Sequence, residues 1–392
     1  MPLPLYLLAV AVFAMGTSEF MLAGLLPDIA SDLGVTVGTA GSLTSAFAIG
    51  MIVGAPLVAV LARNWPRRTS LLGFVLVFTA AHALGAVTTG FPVLFATRVV
   101  AALANAGFLA VALTAAVGLV PPDRKGRALA VLLSGTTVAM VAGVPGGAAL
   151  GALLGWRATF WAVALLCLPA ALGVLRGIPA GRDAAGVTGR PALRAELAQL
   201  TRPPLVLVML LGALVNAATF GSLTFLAPVV TGSAGLGEWW ISVALVLFGA
   251  GSFTGVTVAG RLSDRRPGRV VALGGPLLLV GWPALAVLAD EPVALFILLF
   301  VQGALSFAVG STLVARVLHE AAGAPTMAGS YATAALNVGA AAGPVTAAAA
   351  LGSPAGESGP LWASGLLVAV ALLIAFPALP TITAGQSSEV PG

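Results

Sequence analysis

Twelve apolar runs, most of them about 20 residues or longer, leave this chain few ways to fold. They lie near residues 5–26, 40–62, 69–89, 92–119, 128–154 and 157–175, and after a break near 204–230, 239–262, 269–289, 292–317, 325–351 and 360–383. About 20 apolar residues in a helix cross a hydrocarbon layer roughly 30 Å thick. In lipid every backbone N–H and C=O must be satisfied within the protein, so the runs read as helices. Only 8% of the residues are charged against 59% hydrophobic, where a soluble domain is about a quarter charged. That is too little charge to wet the surface of a chain this long. The first run has no basic residue before it and exceeds the short core of a cleaved signal, so it reads as a retained span.

The few charges are unevenly placed. The net charge is +5, but the basic residues form short clusters between apolar runs with no aromatic-lined basic face, which argues against nucleic acid. Cys167 is the only cysteine, so no intrachain disulfide exists, and two histidines and one cysteine make no ordinary structural metal site. With the N-terminus inside, the even-numbered loops collect sixteen of the eighteen basic residues, among them Arg63, Arg67, Arg68, Arg124, Lys125, Arg127, Arg176, Arg194, Arg202, Arg261, Arg265 and Arg269. The odd loops hold Arg157 with Asp28, Asp32, Glu238, Asp290, Glu291 and Glu357. Cytoplasmic loops carry the excess of Lys and Arg, so both termini are expected in the cytoplasm.

The segment from Arg176 to Arg202, with Pro179 and Pro191, divides the chain. It implies a six-helix bundle over 1–175, a cytoplasmic linker over 176–203, a second bundle over 204–383 and a tail over 384–392. Within the linker, RPALRAELAQL reads as a short amphipathic surface helix. Shifting the second span by 201 positions onto the eighth pairs Phe47 with Phe248, Gly50 with Gly251 and Gly54 with Gly255. Duplicated halves rocking about a midplane site are a transporter architecture.

Two charges fall inside spans. Glu19, in GTSEFMLAGLLP, has no basic residue anywhere in the first 62 positions. It sits about 5 Å past the middle of the first run, and Arg98 about 10 Å from the midplane on the same side, by the helical rise. A charge at such depth is costly and marks a proton or substrate path by default, although a buried ion pair can also be a packing device. The expectation is that Glu19 and Arg98 neutralise each other, directly or through water, and couple proton movement to shape. His82 lies at similar depth; it is either a proton relay or a neutral histidine bonded to a carbonyl. Asn105, Asn216, Phe20 and Phe220 are candidates for a substrate cavity, with interhelical packing as the alternative.

Motifs carry a resemblance. GRLSDRRPGR after the eighth span is similar to the cytoplasmic gate signature of the major facilitator superfamily, matching at Gly260, Leu262, Asp264 and Arg265. The first-half copy, AVLARNWPRR, departs from it at Ala59, Arg63 and Pro66. The fifth span repeats small residues every four positions, at Gly135, Ala139, Gly143, Gly147, Gly151 and Gly155, with Pro145 inside GVPGG. Such a stripe lets another helix approach closely, and it resembles the antiporter motif of drug exporters, with Val144 as a departure. Arg98 in LFATRVVAALANA matches the arginine of the family's fourth-span motif, with Ala101 and Ala102 as departures, and Glu19 matches its first-span acid.

With GTSEFMLAGLLPDIASDLGV, GWRATFW and LNVGAAAGP, the likeness runs through nearly the whole chain. It is to the twelve-span drug/proton antiporters, the branch with arabinose-exporter-like and chloramphenicol-resistance members. The resemblance implies an all-α polytopic membrane protein, twelve transmembrane helices in two pseudo-symmetric six-helix bundles, in a bacterial inner membrane. It implies alternating-access export of a small neutral drug, chloramphenicol foremost, driven by protons with no cofactor. The expected partners are the drug, protons and the lipid bilayer, and the expected state is a monomer. Export of a sugar or other metabolite is the alternative. A membrane-embedded enzyme, for which no span offers a nucleophile with a base, and a non-transporting receptor are more remote.

Overall fold

The computed structural model describes residues 1–35, 37–61, 65–178, 193–237, 239–262 and 267–376. Twelve long helices run through them, six before the linker and six after. They are α1 (Leu3–Phe20), α2 (Val37–Leu61), α3 (Arg67–Val87), α4 (Phe91–Gly118), α5 (Lys125–Leu154) and α6 (Trp156–Gly177), then α7 (Pro203–Thr224), α8 (Trp239–Leu262), α9 (Pro267–Val287), α10 (Pro292–Glu320), α11 (Ala328–Leu351) and α12 (Gly359–Ala375). Among the described residues, nine helices are long and apolar enough to cross a membrane, and α1 and α2 add shorter apolar stretches, Leu3–Glu19 and Ser42–Val58. No strand occurs among the described residues.

The first run is not one continuous helix. α1 stops at Phe20, a 3-10 turn spans Met21–Gly24, and a short helix follows over Leu26–Asp32. Pro27 stands at the start of that short helix, where its missing N–H costs nothing, and a proline disfavours helical geometry in the residue before it. α7 ends in a similar way at Thr224, followed by a three-residue helix and a π turn over Val229–Ser233. Each break closes the first helix of its half and exposes the last carbonyls of that helix.

Two compact units result: Met1–Glu196 with Ala324–Asn337, and Leu197–Gly323 with Val338–Gly392. Within the first, α2 packs on α4, α3 on α4 and α6, and α1 on α5 and α6; within the second, α8 packs on α10, α9 on α10 and α12, and α7 on α12 and α10. The glycines paired by the repeat make the same kind of contact in each unit. A Cβ on Gly50 would lie 2.6 Å from Ala102 Cβ of α4, and one on Gly54 3.1 Å from Leu103 Cα. Cβ atoms on Gly251 and Gly255 would strike the backbone of Phe300 and Ala304 on α10. Small residues there let helix backbones touch, which replaces the hydrophobic drive that lipid cannot supply.

The linker segment forms a helix over Leu193–Leu197 and a 3-10 turn over Ala198–Thr201. It is not a purely surface element, because Glu196 is fully buried. Its Oε2 accepts the N–H groups of Thr326 (3.0 Å) and Met327 (3.1 Å) just before α11, and Tyr331 Oη donates to the Glu196 carbonyl at 2.9 Å. The carboxylate thus caps a helix start, where orphan donors and the positive dipole end favour an anion.

Candidate functional site

Arg98 is almost wholly buried, at 1% exposure. Its Nη1 donates to Ser18 Oγ at 2.6 Å and its Nη2 to the Ser18 carbonyl at 3.0 Å. Ser18 belongs to the last turn of α1, whose carbonyls lack intrahelical partners and carry the negative end of the helix dipole. The break at Met21 therefore creates the acceptor that a buried cation needs. The guanidinium also lies over the Phe47 ring, 4.5 Å from its centroid, a favourable cation–π arrangement in a dry site. Its Nε has no hydrogen-bond partner.

His82 completes the cluster. It is buried, with Nδ1 2.9 Å from the Phe78 carbonyl and Nε2 2.7 Å from Ser18 Oγ. A carbonyl only accepts, so Nδ1 carries the hydrogen; Nε2 of the neutral ring is then an acceptor. Ser18 donates its hydroxyl hydrogen to His82 and accepts from Arg98 through the same oxygen. The ring also stacks near Phe78 (4.1 Å between centroids) and Phe160 (5.7 Å).

Glu19, the next residue, is half-buried. It lies within electrostatic range of Arg98, yet no hydrogen bond or close ion pair joins them among the described residues. The guanidinium makes its two hydrogen bonds to Ser18. Sequence reasoning brought Glu19, Arg98 and His82 to one depth and missed Ser18, which bridges two of them. The only available signal was its place beside the acid. Thr17, on the other side, bonds its own helix through Phe13 O at 2.8 Å.

The small-residue stripe of α5 faces this same stretch of α1. Cβ atoms on Gly143 and Gly147 would meet Thr17 Cγ2 at 3.2 Å and Met21 Cβ at 3.0 Å, and those on Gly135 and Gly151 would strike Ala9 and Leu25. Ala139 lies opposite Gly16. The stripe seats the end of α1 that carries Ser18 and Glu19. Gly155 differs from the rest of the stripe, since its φ of 81° makes the turn into α6, a conformation that favours glycine. α11 repeats the device, with Gly339 and Gly343 against Ala213 and Ala217 of α7.

The remaining candidates are scattered. Asn105 is buried on α4 in the first unit; Asn216 and Phe220 are partly exposed on α7 in the second. The Phe20 and Pro145 side chains, and Asp264, Arg265 and Arg63, lie outside the described residues. Gly260 and Leu262 end α8. At the end of the first unit bearing Asp32, Arg157 ion-pairs with that carboxylate, donates to the Thr88 carbonyl at 2.9 Å and lies 4.3 Å from the Trp156 ring. Trp156 Nε1 also donates to Asp32, at 3.1 Å. The Arg157 and Trp156 hydrogen bonds hold the Asp32 carboxyl below its ordinary range. This clamp ties the short helix Leu26–Asp32 to the adjoining ends of α3 and α6.

Known proteins give this geometry its context. The chain is 80% identical over 352 residues to the chloramphenicol resistance protein of Streptomyces lividans, covering 90% of each. It is 33% identical over 353 residues to the inner membrane transport protein YdhP of Escherichia coli K12, covering 89% of this chain and 90% of that one. Its fold matches the human organic anion transporter MFSD10 (TM-score 0.74, 18% identity, covering 95% of this chain and 97% of the other) and the transporter FucP (TM-score 0.75, 16% identity, 95% and 98%). Residues 8–344 match the Major Facilitator Superfamily. The chain belongs to the Major Facilitator Superfamily, and is a twelve-helix membrane transporter rather than an enzyme.

Proposed function

We propose that this chain exports chloramphenicol from a bacterial cell in exchange for protons, with Glu19 as the proton carrier and Arg98 as its charge partner. The observation that carries the drug assignment is the 80% identity to a chloramphenicol resistance protein across 90% of both chains. The proton assignment is supported by an acid one residue from Ser18, the residue that binds a buried arginine. Mostly apolar helices with few fixed charges suit a small, neutral, partly aromatic drug.

In this reading both termini are cytoplasmic, the lone chain is the functional unit, and the bundles 1–175 and 204–383 rock to alternate access between the two sides of the membrane. Glu19 takes a proton from outside, the bundles tilt, and the proton leaves inside as drug enters. Burial raises a carboxyl pKa and a nearby arginine lowers it, so alternation between the two environments would load and unload the acid near neutral pH. Asn105, Asn216, Phe20 and Phe220 remain proposed cavity residues. Expression in a drug-sensitive bacterium tests the reading: growth on chloramphenicol should improve, and an uncoupler should abolish the gain. Equal protection with the gradient collapsed would remove the proton from the mechanism.

A further inference from the structure

We propose that Ser18 and His82 are positioning residues for proton coupling: together they form a neutral brace that holds Arg98 against the end of α1 and off the Glu19 carboxylate. This rests on the antiport reading above and deepens it.

The hydrogen-bond polarity of the cluster runs one way. Phe78 O accepts from His82 Nδ1, which leaves Nε2 to accept the Ser18 hydroxyl hydrogen, so the Ser18 oxygen turns its lone pairs to Arg98. Ser18 supplies both acceptors for the guanidinium, one from its side chain and one from its backbone. All three side chains are at most 1% exposed, so water does not substitute for any of them. Arg98 Nε remains without a partner, which marks the guanidinium as held by this brace and not saturated.

The groups facing the end of α1 are few. α4 presents Arg98 and α3 presents His82. On α6 the one buried titratable side chain is Cys167, a free thiol. The facing stretch of α5, from Gly135 to Gly151, contains no titratable residue. Among the described residues Glu19 has one charged neighbour, Arg98, whose guanidinium is held by Ser18. Remove the hydroxyl, and Nη1 loses its acceptor; the carboxylate one residue along, already within electrostatic range of the guanidinium, can then take its place. An arginine drawn onto a carboxylate stabilises its charged form, so proton loading would need a more acidic outside.

The experiment is drug-driven proton movement in proteoliposomes, measured across pH for wild type, Ser18→Ala and His82→Leu, with chloramphenicol as substrate. The expected result is a pH midpoint moved about 1 unit to the acid side in Ser18→Ala, a shift of the same sign in His82→Leu, and restoration by Ser18→Thr. Lower yield or melting temperature with an unmoved midpoint in whichever variant reconstitutes would overturn the brace. Absence of drug-coupled proton movement in the wild type would instead sink the antiport reading, so the two failures are distinguishable.

Discussion

The first and second units repeat one scaffold and fill it with different chemistry. Ser18 and Ser222 each stand two residues before the end of the first helix of their half, α1 at Phe20 and α7 at Thr224. Ser18 accepts from a buried arginine and meets a histidine. Ser222 donates to Ser364 at 2.7 Å, and Ser364 donates to the Ala218 carbonyl, so that cluster is neutral throughout. Phe47 lies under a guanidinium, whereas its repeat partner Phe248 meets Phe307 edge-on at 6.4 Å. The residue after Ser222 is Leu223, where the first half has Glu19. Packing is what the duplication shares; at the end of the first helix of each half, the described contacts include a buried charge only in the first. A scaffold can be symmetric while the polar groups it buries are not.

The sharpest way to break this comparison is Arg98→Ala. Hydrogen bonds to a charged group contribute about 1.5–3 kcal/mol each, so losing both should cut export by about 100-fold or more. Arg98→Lys should be nearly as damaging, because an ammonium lacks the planar fork that reaches both Ser18 oxygens. In the second unit Gln302→Leu should leave export close to wild type. Gln302 is buried, its Nε2 donates to Leu278 O at a long 3.3 Å and its Oε1 has no partner; apolar replacement of so poorly satisfied a group is close to neutral. Export rates of the three variants at matched expression check this ordering.

The shared packing is tested next. On Gly255 a Cβ would come within 2.6 Å of the Ala304 carbonyl carbon, and backbone cannot yield; on Gly54 the tightest contacts are 3.0–3.1 Å, to Leu103; on Gly73 nothing lies within 4 Å. Overpacking costs about 1–3 kcal/mol. Melting of the detergent-purified protein should therefore fall most for Gly255→Ala, less for Gly54→Ala and not at all for Gly73→Ala. The smallest effect belongs to the clamp at Asp32. Its carboxyl is held below the ordinary value of 3.8, so its contribution is complete above that pH and fades as pH falls toward the lowered value. Both partners are partly exposed, at 34% and 45%, and such pairs are worth about 0–1 kcal/mol. Asp32→Asn should lower the melting point slightly at pH 7, and the difference from wild type should shrink on acidification below pH 4.

Much of this was legible in the sequence, for physical reasons. Lipid forces helices, so twelve apolar runs became twelve helices, and the glycines matched by the 201-residue shift mark the same close helix contacts in both halves. The every-fourth-residue stripe on α5 meets α1 because only a small-residue face admits such an approach. The interruption of the first run was legible less directly, since Gly24 and Pro27 permit a break without fixing it. Ser18 was not legible: a hydroxyl in a helix usually bonds its own backbone, as Thr17 does, and only the approach of α3 and α4 shows otherwise. The burial of Glu196 within the linker's amphipathic segment was not legible for a similar reason. An acid in a short polar linker reads as solvated, and its capping role depends on donors about 130 residues away.

Proton coupling through Glu19 is tested most directly by uphill drug movement with Glu19→Gln protein in sealed proteoliposomes under an imposed pH gradient, beside drug-for-drug exchange in the same vesicles. The predicted result is that exchange persists while gradient-driven accumulation of chloramphenicol vanishes. Accumulation at the wild-type level by Glu19→Gln would contradict it.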